Sequence, residues 1–490
     1  MNLGPTAIID FHGGVYRASA ISHNLAPAYT VSHSVNVNYD VIIGNGVVRN
    51  GTTLLGAQVA VSRTPLGLAE FVTSTLATNI VVGVFSGASN ASIYYYTTSW
   101  NTSNITNLTN TSKNRFAVLG DRIYKVNGTD AFISSAGGQN WNTTNTTPIL
   151  PGLIIRASNR LLAGNVPSFR SRLYFSSIID MNASPTLTWN TNNSKGDFID
   201  INPDDGDQLT ALANTSAFVL VFKNRGMYRL NVISKSVDAD NIFNIGAVSQ
   251  EAVTQCQGVT YFFSGQDIRR TTGDFPQQIS RLGVQDFIDA IPQTSWLNVC
   301  AGTDGFNVYF SIGNVTLLSK QNKQVTYNNV VLKFSPRDES WSVHVYGQQH
   351  RNYAQYTTTA GRTMIEADTG GNVQTMNSGD TDNGIPVFYE LVTQEMDMGN
   401  KAFTKTISDT IVVFCKNGQA SGLQIYPDEN PAQEIGININ QPNGVCISHN
   451  VNVKFNYCTL RWYGNSSGTK PTIEGFYIHN VTTEGISQQA

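Results

Sequence analysis

Charge is scarce in this chain. Lys, Arg, Asp and Glu make up 13% of its 490 residues, about half the share usual in a soluble domain. Asn, Thr, Ser and Gly fill the gap, which disfavours exposed helices, because their solvent faces are built from Glu, Lys, Arg and Ala. The formal net charge of −3 excludes a broadly basic surface made to grip phosphates. A protein that lets nucleic acid pass without holding it would carry a similar balance. No apolar run of the roughly 18 residues needed for a membrane helix occurs, so no membrane span is expected. The first five residues offer neither a basic nor an apolar leader segment, so no export signal is expected. The five cysteines, Cys256, Cys300, Cys415, Cys446 and Cys458, form no CxxC pair. An odd count without an export signal reads as reduced, buried thiols, with a Cys446–Cys458 bridge across neighbouring strands as the alternative.

Recognisable chemistry is equally thin. The Walker A loop, HExxH and zinc-spaced Cys/His sets are missing. The seven histidines, His12, His23, His33, His344, His350, His449 and His479, are scattered along the chain. The most acidic stretch, 196–207, places Asp200, Asn202 and Asp204 like the first positions of a calcium loop. Asp205 then stands where the sharp-turn Gly belongs and Ala211 where the bidentate Glu belongs, so a capped turn is expected. Asp304, Asp338, Glu339 and Asp368 sit at expected hairpin tips, where turn chemistry accounts for them. A carboxylate pair for glycoside hydrolysis is not specified by 34 scattered acids. Asn-x-Ser/Thr triplets, among them Asn90, Asn104, Asn107, Asn127, Asn314 and Asn480, are what this Asn/Thr-rich composition produces by chance. No catalytic, cofactor-binding or metal-binding residue is assigned, and no cofactor or enzymatic activity is expected.

What the chain does contain is strand signal. Short runs rich in Val, Ile, Tyr, Phe and Thr alternate with Gly, Asn and Asp turns. Helical spacing is confined to 283–291, where Val284, Phe287, Ile288 and Ile291 share a face and Pro292 follows. Five segments repeat one layout of strand, tight polar turn and strand. They are 115–126 (RFAVL-GD-RIYKV), 216–230 (SAFVLVF-KNRG-MYRL), 258–270 (GVTYFF-SGQD-IRR), 328–345, and 364–375. One hairpin cannot bury both of its faces alone, so recurring hairpins must stack against one another. A recurrence of about 40–50 residues fits the blades of a β-propeller around a central channel. From about Gly399, as in 405–414 and 451–455, apolar and polar residues alternate as in half-buried strands of a sandwich. The expected fold is therefore all-β: an extended arm over 1–66 with few paired strands, a β-propeller of divergent antiparallel blades over 67–395, and a β-sandwich-like domain over 396–490. The Asn/Thr-rich stretches 101–111 and 140–147 are expected as mobile surface loops.

Three segments resemble a known family when taken together. The opening 9–15 (IDFHGGV) runs through 36–38 (NVN) to 48–52 (VRNGT). The stretch 196–212 (GDFIDINPDDGDQLTAL) leads into 221–230 (VFKNRGMYRL). The pair 246–253 (GAVSQEAV) and 259–269 (VTYFFSGQDIR) continues into 275–279 (FPQQI). These are similar to the first-blade approach, the acidic turn with its hairpin, and the paired strand segments of bacteriophage tail and neck propeller proteins. That family includes packaged-DNA stabilisation or tail hub adaptor proteins and the nozzle or ring proteins of short-tailed phages. Gln266 departs from its usual turn. The resemblance spans about 5–400. It implies a structural virion protein, assembled in the host cytoplasm, forming a closed ring, expected to be a homohexamer, around the DNA exit channel. Implied partners are copies of itself, other tail and portal-connected proteins, and passing genomic DNA without sequence readout.

Two other readings follow from the same residues. A carbohydrate- or receptor-binding tail module would use Trp462, Tyr463 and Tyr477 as an aromatic platform, against their reading as sandwich core. A propeller enzyme acting on polysaccharide would need one essential Asp/Glu pair.

Overall fold

In the computed structural model, the described residues are 6–8, 10–17, 30–59, 63–73, 79–142, 149–178, 187–189, 198–215, 217–318, 324–359, 361–398, 402–416, 421–428, 433–435, 445–448 and 451–486. They form a β-propeller joined to a C-terminal β-sandwich-like domain. Seven antiparallel sets of three or four strands follow one another around the ring, the sixth of them part of a larger sheet. Their first strands are Pro65–Val72, Arg115–Leu119, Leu153–Ala157, Leu209–Asn214, Val253–Cys256, Cys300–Thr303 and His350–Thr358, and these open blades I to VII. Each first strand lies beside that of the next blade, and His350–Thr358 of blade VII returns to Pro65–Val72 of blade I. The ring is closed.

Its cohesion follows from strand periodicity. Alternate residues of a strand point to opposite faces, and each blade is sandwiched between two others, so both sets must be apolar. In blade IV, Val219 and Val221 pack towards blade III with Leu153, Leu162 and Phe175. Their neighbours Leu220 and Phe222 pack towards blade V against Ala247 and Phe262. This explains the unbroken apolar run 217–222. The same rule yields one apolar cluster at each blade junction: I with II, II with III, VI with VII and VII with I.

Blade VII is completed by the strand Thr53–Leu54, which pairs with Val373–Thr375. A segment from near the start of the sequence thus supplies the outer strand of the last blade and ties the ring shut. The junction of blades V and VI is different again, because its core merges with that of the C-terminal domain. The outer strand of blade VI, Ser340–Val345, is followed in the same sheet by Gly14–Val15, Thr30–Val35, Ile385–Thr393, Cys458–Ser466 and Ser421–Pro427. Gly14 is required there: its φ is +65°, and an added Cβ would lie 2.6 Å from the Trp341 carbonyl oxygen. A second sheet, containing Ile411–Lys416, Thr472–Ile478, Gly46–Val48 and Val37–Asn38, lies across this one. Trp462, Leu423, Ile425, Val413, Ile473 and Phe476 are fully buried in the shared core.

Several expectations need correction. Segment 1–66 is no lightly paired arm: its described strands enter three sheets. The strand Ile385–Thr393 already pairs with Cys458–Ser466, so the strands of the C-terminal domain begin before residue 396. The stretch 101–111 is tied down. Asn104 exchanges two hydrogen bonds with the Trp141 backbone, Leu108 is buried, and Thr109 donates to Asp130. Most of 140–147 lies outside the described residues. The helix forms as Gln285–Asp289, with Phe287 and Ile288 buried.

Candidate functional site: the propeller channel and the seam

The first strands of the blades line a cavity of about 260 Å³ on the propeller axis. Residues from six blades reach it, and Gln250 hydrogen-bonds Leu212 of blade IV through both backbone groups. Most lining positions fall at the beginnings of these strands, which places the cavity towards the face where one blade passes into the next. Arg115 of blade II crosses to Glu251 at the start of blade V with a two-pronged contact, Nε to Oε1 at 2.9 Å and Nη2 to Oε2 at 3.0 Å. Such fork geometry is the strong form of an ion pair. Burial alone would raise the Glu251 carboxyl, but Arg115 and Lys113 beside it hold it down at about 2. Cys300 borders the same cavity. Burial pushes its thiol up to about 12, with Lys113 and Arg351 acting against that shift. The result is a neutral thiol, unsuited to nucleophilic attack.

A second polar cluster fills the seam between blades VI and VII and the early strands. Arg49 is 1% exposed. Its guanidinium donates to Asp382 at 2.8 and 2.5 Å, to Asn36 at 2.7 Å and to the carbonyls of Asn50 and Val345. It also stacks over the Tyr346 ring, 4.0 Å from the centroid. Thr52 donates to Gln374, and Gln374 donates to Asp368. Beyond them lies Glu366, fully buried, with neither carboxyl oxygen hydrogen-bonded. Burial first, then Asp368 and Asp382, push its carboxyl well above the usual range, so it is held neutral. His350, 3.7 Å away, is driven down to about 3 by burial and by Arg49. Two neutral groups therefore face each other.

Most of the carboxylates singled out in the sequence have structural partners. In the acidic stretch, Pro203–Asp205 forms a 3-10 turn between blades III and IV. Asp205 pairs with the buried Lys223 at 2.8 Å, Asp207 accepts from Asn224 and Arg225, and Asp200 pairs with Arg172. Asp304 accepts from two backbone amides of its own turn and from Tyr309. Asp338 accepts from Ser335 and Arg337, Glu339 pairs with Arg270, and Asp368 caps its turn. Among the described residues, no group of three or more His, Cys, Asp or Glu is arranged to hold a metal. Cys256, Cys300, Cys415 and Cys458 are buried free thiols, so the alternative bridge through Cys458 is absent. Trp462 is fully buried against Tyr389, with ring centroids 4.6 Å apart, and cannot serve as a binding platform. Tyr463 lies under Arg461, and Tyr477 lies against His479.

Sequence reasoning missed Arg115, Glu251, Arg49 and Glu366. Arg115 and Glu251 lie 136 positions apart, and Arg49 and Asp382 lie 333 apart. Only the closed ring brings either pair together. The sole available signal was that a charge-poor chain still places charged residues beside apolar strand starts.

No protein-family model matches the chain, and no curated protein sequence matches it. Among solved structures it is similar to BamB from Moraxella catarrhalis at 9% identity. That alignment covers 71% of this chain and 98% of that one, with a TM-score of 0.36. It is also similar to the N-terminal domain of Nup159 at 12% identity, covering 67% of this chain and 95% of that one, with a TM-score of 0.33.

Proposed function

We propose that this chain is a structural component of a bacteriophage tail or neck, a subunit of the ring that encircles the DNA exit path. The observation that carries the reading is the eleven-stranded sheet through which blade VI continues into the C-terminal domain. A shared hydrogen-bonded sheet and a shared core make propeller and sandwich one stiff body, which suits a part that bears load in an assembly. The early and acidic segments that resemble the phage family fall at construction points of this body. Gly14 lies in the bridge, Arg49 in the seam and 196–212 between two blades.

In this reading the DNA path runs between subunits and not through the propeller. The axial cavity is small and the Arg115–Glu251 pair spans it, so a duplex has no room there. Copies joined by head-to-tail contacts that close by rotation would surround a wider passage. Large apolar side chains available for such contacts stand on turns along one propeller face. They are Ile178 at 64% exposed, Ile233 at 91%, Phe275 at 63% and Phe306 at 74%, on blades III to VI. Electron microscopy of purified particles carrying a tagged copy of this chain tests the proposal. A ring of label at the tail or neck is expected. Particles that assemble and eject DNA without the chain would refute it.

A further inference from the structure

The early segment, the propeller and the C-terminal domain meet around one histidine. His33 lies in the strand Thr30–Val35 with its side chain 12% exposed, so protons reach it from solvent. Arg17, just past Gly14–Val15, places Nη1 3.2 Å from His33 Nδ1. Tyr327, in the blade VI strand Gln324–Ser335, holds its hydroxyl 3.3 Å from Nε2. Glu390, on the neighbouring strand Ile385–Thr393, brings Oε1 to 3.7 Å from the same nitrogen. Arg461, on the strand Cys458–Ser466 beyond, pairs with the other Glu390 oxygen at 2.6 Å. Asp286 of the helix acts through Arg17, accepting from its Nε at 2.5 Å. Among the described residues, these are the charged and titratable groups around the ring.

A guanidinium can only donate hydrogen bonds. Nδ1 is therefore the acceptor, and the proton of the neutral ring sits on Nε2, directed at Tyr327 and Glu390. A second proton would have to enter on Nδ1, where it would face the N–H of Arg17, donor against donor and cation against cation. Burial first, with Arg17 and Arg461, resists that charge and outweighs Glu390, so the ring is driven down to about 4. From this geometry we propose that His33 is an acid-sensitive latch: a proton taken from solvent expels Arg17 from the ring, turns His33 to Glu390, and loosens residues 14–17 from the sheet that joins propeller and C-terminal domain. Arg17 keeps Asp286 and the Phe287 ring as its partners, so the expelled guanidinium stays paired. The neutral ring belongs to the latched state. The latch is therefore full above the ordinary histidine value of 6.5 and weakens as pH falls towards 4. His350 and Glu251, held down to about 3 and about 2, titrate later.

The amides of Tyr16 and Arg17 donate to the carbonyls of Val31 and Leu282, so their hydrogen exchange reports the latch. In the intact chain, after correction for the intrinsic pH dependence of exchange, their protection should fall about tenfold per pH unit between 6.5 and 4. The strand Val219–Lys223 of blade IV should stay protected over the same range. His33→Gln cannot gain a proton, and its protection at Tyr16 and Arg17 should not change with pH. Deuterium uptake at the His33 ring carbon gives the midpoint of protonation directly. It should rise by about one unit in Arg17→Gln and fall by a similar amount in Glu390→Gln, opposite shifts that lost packing alone would not produce. All three side chains are partly exposed, so the variants are expected to fold, which thermal unfolding at neutral pH checks. A pH-dependent loss of protection that persists in His33→Gln, or that reaches Val219–Lys223 at the same pH, would overturn the proposal. So would shifts of one sign in both variants, or a midpoint at the ordinary value in the native chain.

Discussion

The junction between blades IV and V and that between blades V and VI solve the same packing problem on different scales. At the first, a small cluster of Ala211, Leu220, Phe222, Met227 and Phe262 holds two sheets together and ends there. At the second, the apolar contact runs on without a break into the C-terminal domain, from Tyr261 and Phe334 to Trp462 and Phe476. The first can be built from neighbouring segments of chain. The second draws on strands as far apart in sequence as Gly14–Val15 and Cys458–Ser466. The ring is thus modular except at blade VI, whose sheet runs on into the C-terminal domain, and at blade VII, which Thr53–Leu54 completes.

The strongest way to break this contrast is Arg49→Met. It leaves Asp382 without its partner and should cost about 3–5 kcal/mol, as removal of one member of a buried pair does. Hydrogen exchange should then rise together in blades VI and VII and in the C-terminal domain. Phe222→Ala should cost a similar amount, about 3–5 kcal/mol, but its increased exchange should centre on blades IV and V. Equal spread of both effects across the whole chain would erase the distinction between the two junctions.

Two buried glutamates sharpen the comparison through pH. Glu251 in the channel has a lowered folded value. Its contribution is present above the ordinary carboxylate range and is lost as pH falls towards about 2. Glu366 near the seam has a raised one. It keeps its proton in the folded state while the unfolded chain ionises, so stability is full in acid and declines as pH rises above the ordinary range. Thermal unfolding followed across pH should show Glu251→Gln flattening the acid limb and Glu366→Gln flattening the decline towards neutral pH. The smallest effect belongs to Arg172→Ala. Its partner Asp200 is 34% exposed, and loss of the pair should move stability by only ~0–1 kcal/mol.

Much of the propeller was legible because its hairpins announce themselves locally. In 115–126 and 216–230 the turn residues and the apolar runs lie side by side, and the structure places strands there. The number of blades was not legible. Blade I and the outer strands carry weaker alternation, and the closing strand Thr53–Leu54 is exposed and comes from a distant segment. The division of the chain was blurred for the same reason. Gly14 and Val15 offer two residues of strand signal, and only the Trp341 backbone opposite explains why a glycine stands there. The channel site was hidden more deeply. Arg115 and Glu251 lie 136 positions apart and meet only once the blades close into a circle.

The assembly itself is open to one direct measurement, the native mass of the purified chain across a range of concentrations. A closed cyclic oligomer is expected, with six copies the anticipated number, and it should be weakened by Ile233→Asp together with Phe306→Asp. A chain that remains monomeric at every concentration, and is missing from purified phage particles, would contradict the architectural role.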